Sequence, residues 1–129
     1  MPTVLLIDDD ADLRSALRAT LAHGGLEVLE AASGQEALAA LTDRPDTDAI
    51  VSDVQLPAVD GVTLYDLIIQ AHPRLAGRVI FLTGAAGNPA VHRSIEARDV
   101  PLLSKSGDPR LVIDALRLIL LPGRTTGST

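Results

Sequence analysis

Five short apolar runs, each followed by a segment of helical period, constrain this chain more than any other feature. The runs are Val4-Leu5-Leu6-Ile7, Leu26 to Leu29, Ala49-Ile50-Val51, Val79-Ile80-Phe81-Leu82, and Val100 to Leu103. Strand-length runs alternating with helices mark βα units laid around a parallel sheet. Three of the runs are continuously apolar, as expected of strands covered by helices on both faces. The expected fold class is therefore α/β, a doubly wound sheet of five strands. Hydrophobic residues make up 47% of the chain and aromatic residues 2%, so the core must be aliphatic.

The helical segments carry their own punctuation. Leu13, Ala16, Leu17, Thr20 and Leu21 share one face of a first helix, which Gly24-Gly25 ends. Ser33 and Glu36 form a capping box for a second helix bearing Ala37, Leu38 and Leu41, with Pro45 just beyond its end. A third helix runs from Gly61 or Val62 to Ala71, stopped by Pro73. Asn88-Pro89 and Asp108-Pro109 open a fourth and a fifth, each pairing an N-cap with a proline at the first helical position. The fifth is apolar around most of its circumference. We place Leu111, Val112, Ala115, Leu116 and Ile119 on its buried side, with Ile113, Leu118 and Leu120 extending beyond it. The 129 residues suit one domain, expected over 1–122, with 123–129 as a flexible C-terminal tail.

Net charge is −6 without a Lys/Arg cluster, which disfavours direct nucleic-acid binding. The absence of cysteine excludes a disulfide framework, a thiolate zinc site and a cysteine nucleophile. The apolar stretch Leu111 to Leu121 contains Asp114 and Arg117 and is shorter than the roughly 20 residues of a membrane span. Neither a signal sequence nor a membrane segment is evident, and a cytoplasmic location is expected.

In open parallel sheets, ligands bind beyond the carboxyl ends of the strands. Five polar residues fall there: Asp8 and Asp9 after the first run, Asp53 after the third, Thr83 after the fourth and Lys105 after the fifth. Three carboxylates brought together repel one another, and a divalent cation relieves that repulsion. Only oxygen ligands are on offer, which points to a hard ion, and Mg²⁺ is the natural choice. Lys105 and Thr83 are the kinds of group that stabilise the oxygens of a transferring phosphoryl group, and a carboxylate such as Asp53 serves as nucleophile in aspartyl-phosphate chemistry.

Taken in order, Leu5-Leu6-Ile7-Asp8-Asp9, Ser52-Asp53-Val54-Gln55-Leu56-Pro57 with Asp60-Gly61, Leu82-Thr83-Gly84 and Leu103-Ser104-Lys105 resemble the receiver-domain family of two-component signalling. The likeness covers nearly the whole chain, and the separations between these residues are also similar to the family's. It implies a flavodoxin-like (βα)5 sandwich with strand order 2-1-3-4-5. It implies Mg²⁺-dependent transfer of a phosphoryl group to Asp53 from a histidine kinase or histidine phosphotransfer protein, with Mg²⁺ held by Asp8, Asp9, Asp53 and the main-chain carbonyl of Gln55. Thr83 and Lys105 would attend the phosphoryl group, which the domain itself attaches and removes. The phosphorylated state would shift a surface that controls a partner, in a stand-alone regulator or as the C-terminal receiver of a hybrid sensor kinase. The region of the fourth helix, fifth strand and fifth helix would carry a homodimer or effector contact. The sequence departs from the family in two places: Leu102 stands where an aromatic residue is common, and Ser106 where proline is common.

Plainer readings compete at several positions. Asp10 reads best as the cap of the first helix. Thr83 alone would be a strand end and Lys105 alone a surface lysine; only their company makes them a site. His23, His72 and His92 read as surface residues, and Tyr65 and Phe81 as packing residues. An aspartyl-phosphate hydrolase of similar topology would want a carboxylate two residues after its nucleophile, where Gln55 stands. A flavodoxin-like cofactor binder would want a glycine-rich phosphate loop, which is lacking. A constitutive adaptor would not need the intact acidic set.

Overall fold

The computed structural model describes residues 1–84 and 89–120. The chain alternates β1 (Thr3–Ile7), α1 (Ala11–His23), β2 (Glu27–Ala31), α2 (Gly34–Asp43), β3 (Ala49–Asp53), α3 (Gly61–Ala71), β4 (Val79–Thr83), α4 (Pro89–Ala97), β5 (Leu102–Ser104) and α5 (Arg110–Leu120), with one 3-10 turn at Pro73–Leu75. The strands form one parallel sheet in the order β2-β1-β3-β4-β5, as expected.

Side chains of a strand alternate between the two faces of the sheet, and here both faces are covered. Leu5, Ile7, Ile50 and Phe81 point to one side, where Ala37 and Leu41 of α2, Leu64, Tyr65 and Ile68 of α3, and Ile95 of α4 close over them. Val4, Leu6, Val51, Ile80 and Leu82 point to the other, against Leu17 and Leu21 of α1 and Val112, Ile113, Leu116 and Ile119 of α5. Every residue of β1 and β3 is buried, which explains why those runs read as continuously apolar. Tyr65 and Phe81 are both core residues with ring centroids 6.0 Å apart.

The differences from expectation have local causes. β2 begins and ends later than its apolar run, because an edge strand, less covered than a central one, tolerates Glu27 on one face and Glu30 on the other. β5 starts at Leu102, after Pro101, which lacks an amide hydrogen but whose carbonyl accepts the Phe81 N–H at 2.9 Å. On α5 the core face includes Ile113, while Leu111 is 52% exposed and does not belong to it. Arg110, Asp114 and Arg117 mark the outer face, but Leu111 and Ile113 flank the inner one on either side, and periodicity does not choose between them. α1 stops at Gly24 with Gly25 at φ +89°, a left-handed conformation that glycine adopts without penalty. Ser33 caps α2 as expected, accepting the Glu36 N–H at 3.2 Å, while the Glu36 carboxylate reaches back to the Ala32 N–H at 2.9 Å. α3 has the predicted bounds, and α5 is assigned from Arg110, whose N–H donates to the Asp108 side chain at 2.9 Å. The expected Asn88 cap and the 123–129 tail lie outside the described residues. No described helix is long and apolar enough to cross a membrane.

Candidate functional site

The sheet register assembles the acidic residues. Ile7 pairs with Ser52 across the parallel β1–β3 ladder, so the residues that follow, Asp8 and Asp53, emerge side by side. One carboxylate oxygen from each of Asp8, Asp9 and Asp53 lies within 4.8 Å of the other two. Asp8 and Asp53 are only 2% and 5% exposed, whereas Asp9 is exposed.

Lys105 answers part of this buried charge. Thr83 pairs with Ser104 across β4 and β5, and the next residue, Lys105, reaches back so that Nζ sits 2.9 Å from Asp8 Oδ2 and 2.8 Å from Asp53 Oδ2. Burial alone would lower the ammonium's pKa, but the hydrogen bonds to Asp53 and Asp8 outweigh it and hold the group above the ordinary lysine value. The remaining oxygens are engaged by backbone: Asp8 Oδ1 accepts the Asp10 N–H at 2.9 Å and Asp53 Oδ1 the Gln55 N–H at 3.0 Å. One lysine against three carboxylates leaves an excess of negative charge. An oxygen-only donor set with that excess, open to solvent at Asp9, fits a hard divalent cation.

The loops are shaped to hold this geometry. Asp10 caps α1, accepting the N–H groups of Asp12 and Leu13, each at 3.1 Å. Asp60 caps α3 through the Thr63 N–H at 2.8 Å. Gly61 donates its N–H to Val54 O at 2.7 Å, and a Cβ there would lie 2.5 Å from Asp53 O, so the close approach of α3 to the Asp53 turn requires glycine. The Lys105 N–H donates to Thr83 O at 2.9 Å. After Lys105, the hydroxyls of Ser104 and Ser106 lie 2.8 Å apart, and no peptide bond among the described residues is cis.

Thr83 and Gln55 stand at the rim. Together they line a cleft of about 510 Å³ between α3 and α4, with Val54, Val62, Val91 and His92. His92 is half-buried, and its Nε2 is buried without a hydrogen-bond partner, which corrects its reading as a surface residue. Sequence reasoning also missed Arg14. Its Nη1 donates to the main-chain oxygen of Asp8 at 2.5 Å, and a carbonyl partner leaves no trace in a sequence.

Residues 4–117 match the family model described as the response regulator receiver domain. The chain belongs to this family. Among relatives of this receiver domain, the C4-dicarboxylate transport transcriptional regulatory protein DctD of Rhizobium meliloti is 36% identical over 117 residues, 90% of this chain and 25% of DctD. The chain therefore spans about a quarter of that relative. The transcriptional activator protein ExaE of Pseudomonas putida is 32% identical over 91% of this chain and 54% of its own length. Among solved structures, chemotaxis protein CheY4 of Vibrio cholerae superposes with a TM-score of 0.81 at 27% identity, covering 93% of this chain and 99% of that one. The resemblance read from the motifs and the strand order is thus borne out, and this is a receiver domain of two-component response regulators.

Proposed function

We propose that this receiver domain accepts a phosphoryl group on Asp53 from a phosphohistidine in a histidine kinase or histidine phosphotransfer protein. Mg²⁺ would be held by Asp8, Asp9, Asp53 and the main-chain carbonyl of Gln55. The observation that carries this reading is the Lys105 ammonium shared between two buried carboxylates, 2.9 Å from Asp8 and 2.8 Å from Asp53, beside the exposed Asp9. In transfer, an Asp53 carboxylate oxygen forms the new O–P bond as the P–N bond of phosphohistidine breaks, and the imidazole nitrogen keeps the electron pair. When bound, Mg²⁺ supplies charge neutralisation at the phosphoryl oxygens.

The chain's own residues do the rest. Lys105, already within hydrogen-bonding distance of Asp53, pairs with a phosphoryl oxygen and so leaves Asp8. The Gln55 N–H keeps Asp53 oriented through its Oδ1. Thr83, one position beyond the Asp53–Leu82 pair in the register, offers its hydroxyl as the group that follows the phosphoryl. Hydrolysis by water returns the free carboxylate, so the domain promotes its own phosphorylation and dephosphorylation rather than turning over a separate substrate.

The phosphorylated site then favours one surface arrangement over another. Leu111 and Leu118 of α5 are 52% and 58% exposed, and with α4 and β5 they form the proposed contact for a second copy or an effector. A molar mass independent of concentration and of phosphorylation would remove the second-copy version. We assign the domain to residues 1–122, acting alone or as the receiver of a hybrid kinase in the cytoplasm.

The test is intact-mass spectrometry after incubation with acetyl phosphate, with and without Mg²⁺, on wild type and Asp53→Asn. The expected result is a Mg²⁺-dependent, base-labile gain of one phosphoryl group that the variant lacks. No adduct from acetyl phosphate or from a phosphohistidine donor would overturn the reading, and absence of Mg²⁺ binding as well would favour a constitutive adaptor.

A further inference from the structure

We infer that Arg14 is a positioning residue for the acidic site, holding the Asp8–Asp9 peptide in the orientation that metal binding needs. The inference rests on the metal-dependent reading above. Arg14 lies on α1, with its side chain only 17% exposed. Its Nη1 donates to Asp8 O at 2.5 Å and its Nε to Glu30 Oε1 at 2.9 Å. A charged donor at that distance makes a strong, directional bond. The oxygen it holds belongs to the planar peptide that also contains the nitrogen of Asp9. Fixing that oxygen therefore sets the end of Asp8 and the beginning of Asp9 together.

The other contacts of this segment leave that rotation to Arg14. The Asp8 N–H donates to Ala31 O at 3.0 Å, anchoring the preceding peptide to β2. The Asp10 N–H donates to Asp8 Oδ1 at 2.9 Å, and Asp10 itself caps α1. Between these two anchors, the Asp8 carbonyl is held by Arg14. Glu30 neutralises the guanidinium and is itself shared with Arg18, whose Nε lies 3.1 Å from Glu30 Oε2. The contribution of Arg14 is accordingly one of orientation more than of charge. Groups that orient metal-holding residues without touching the ion typically cost 10–100-fold in affinity or activity when removed.

Isothermal titration of Mg²⁺ into the metal-free protein reads this directly. Arg14→Ala is expected to weaken Mg²⁺ binding by about tenfold. Glu30→Ala, which loosens Arg14 while keeping it, should fall between Arg14→Ala and wild type. Arg18→Ala, whose side chain is 52% exposed and pairs with Glu30 rather than with Asp8, should bind as wild type does. The Mg²⁺ concentration giving half-maximal phosphorylation by acetyl phosphate should rise in parallel for Arg14→Ala, while the rate at saturating Mg²⁺ returns to the wild-type value, a split that general destabilisation does not produce. Equal affinities for wild type and Arg14→Ala overturn the inference, as does an equal loss in Arg18→Ala. Absence of saturable Mg²⁺ binding by wild type overturns the functional reading itself, and the inference with it.

Discussion

At the scale of single residues, the Asp53 turn is packed against the first turn of α3 with no room to spare. Gly61→Ala would place a methyl 2.5 Å from Asp53 O and 2.9 Å from Val54 Cα, both backbone atoms that cannot swing aside. Overpacking of this kind costs about 1–3 kcal/mol. We expect urea denaturation to report that loss, and phosphorylation by acetyl phosphate to slow because the displaced atom belongs to Asp53 itself. A stable variant with unchanged kinetics would mean that the turn yields freely. Asp8, Asp53 and Lys105 were legible in the sequence because polar residues ending parallel strands arrive at one edge whatever the loops do. Arg14 was not, since an arginine on the polar face of α1 looks the same whether it meets water or a carbonyl. His92 was misread for the converse reason: α4 is amphipathic, and a residue at the border of its apolar face gives no sign of which way its ring turns.

At the scale of elements, α4 is the least anchored helix on its face of the sheet. Its buried residue is Ile95, whereas α3 buries Gly61, Leu64, Tyr65 and Ile68. What α4 lacks in buried area is partly offset by Arg98, which grips Asp66 of α3 through Nε at 2.9 Å and Nη2 at 2.7 Å. That hydrogen-bonded pair holds the Asp66 carboxyl below its ordinary pKa. Exposed pairs are worth about 0.2–1 kcal/mol, enough to matter for a helix whose buried residue, among those described, is Ile95. Hydrogen exchange followed by mass spectrometry should find α4 amides exchanging faster than those of α3, and Asp66→Asn should accelerate α4 further while leaving β1 and β3 unchanged. Uniform exchange across the helices would contradict this account. The bounds of α3 were readable from Asp60-Gly61 and Pro73, because cap and breaker both act locally. The inner face of α5 was legible at Val112, Leu116 and Ile119 but not at its border, because Leu111 and Ile113 are equally apolar and only the tertiary packing tells them apart.

At the scale of the molecule, the sheet carries charge at both of its edges. Opposite the acidic site, Arg44 pairs with Glu27 at 3.2 Å and Asp46 at 3.0 Å, while Thr3 donates its hydroxyl to Glu27 at 2.7 Å and its N–H to Asp48 at 2.8 Å. Hydrogen bonding from Arg44, followed by that from Thr3, lowers the pKa of Glu27, and Arg44 likewise lowers that of Asp46. A carboxylate with a depressed folded-state pKa contributes stability that is present above its ordinary value, 4.5 for Glu27 and 3.8 for Asp46, and is lost as pH falls through the folded value. Melting temperatures should therefore decline on acidification below about pH 5, more steeply in wild type than in Arg44→Ala. Parallel curves would show that the network adds nothing. The doubly wound architecture was visible in the sequence because continuous apolar runs have few other homes. This network was not, since it joins residues distant in the chain through long side chains that any surface helix or turn carries.

Lys105 follows an edge strand, β5, yet its ammonium ends on carboxylates at the ends of two interior strands, β1 and β3, with β4 between. In mechanical terms it is a strut from the rim of the sheet to its hub. Any new negative group on Asp53 competes for that strut. The hub, buried on both faces, has little freedom to yield, whereas β5 has three residues and a single neighbour. A charge placed at the centre would thus be expected as displacement at the periphery, at β5 rather than at β1 or β3.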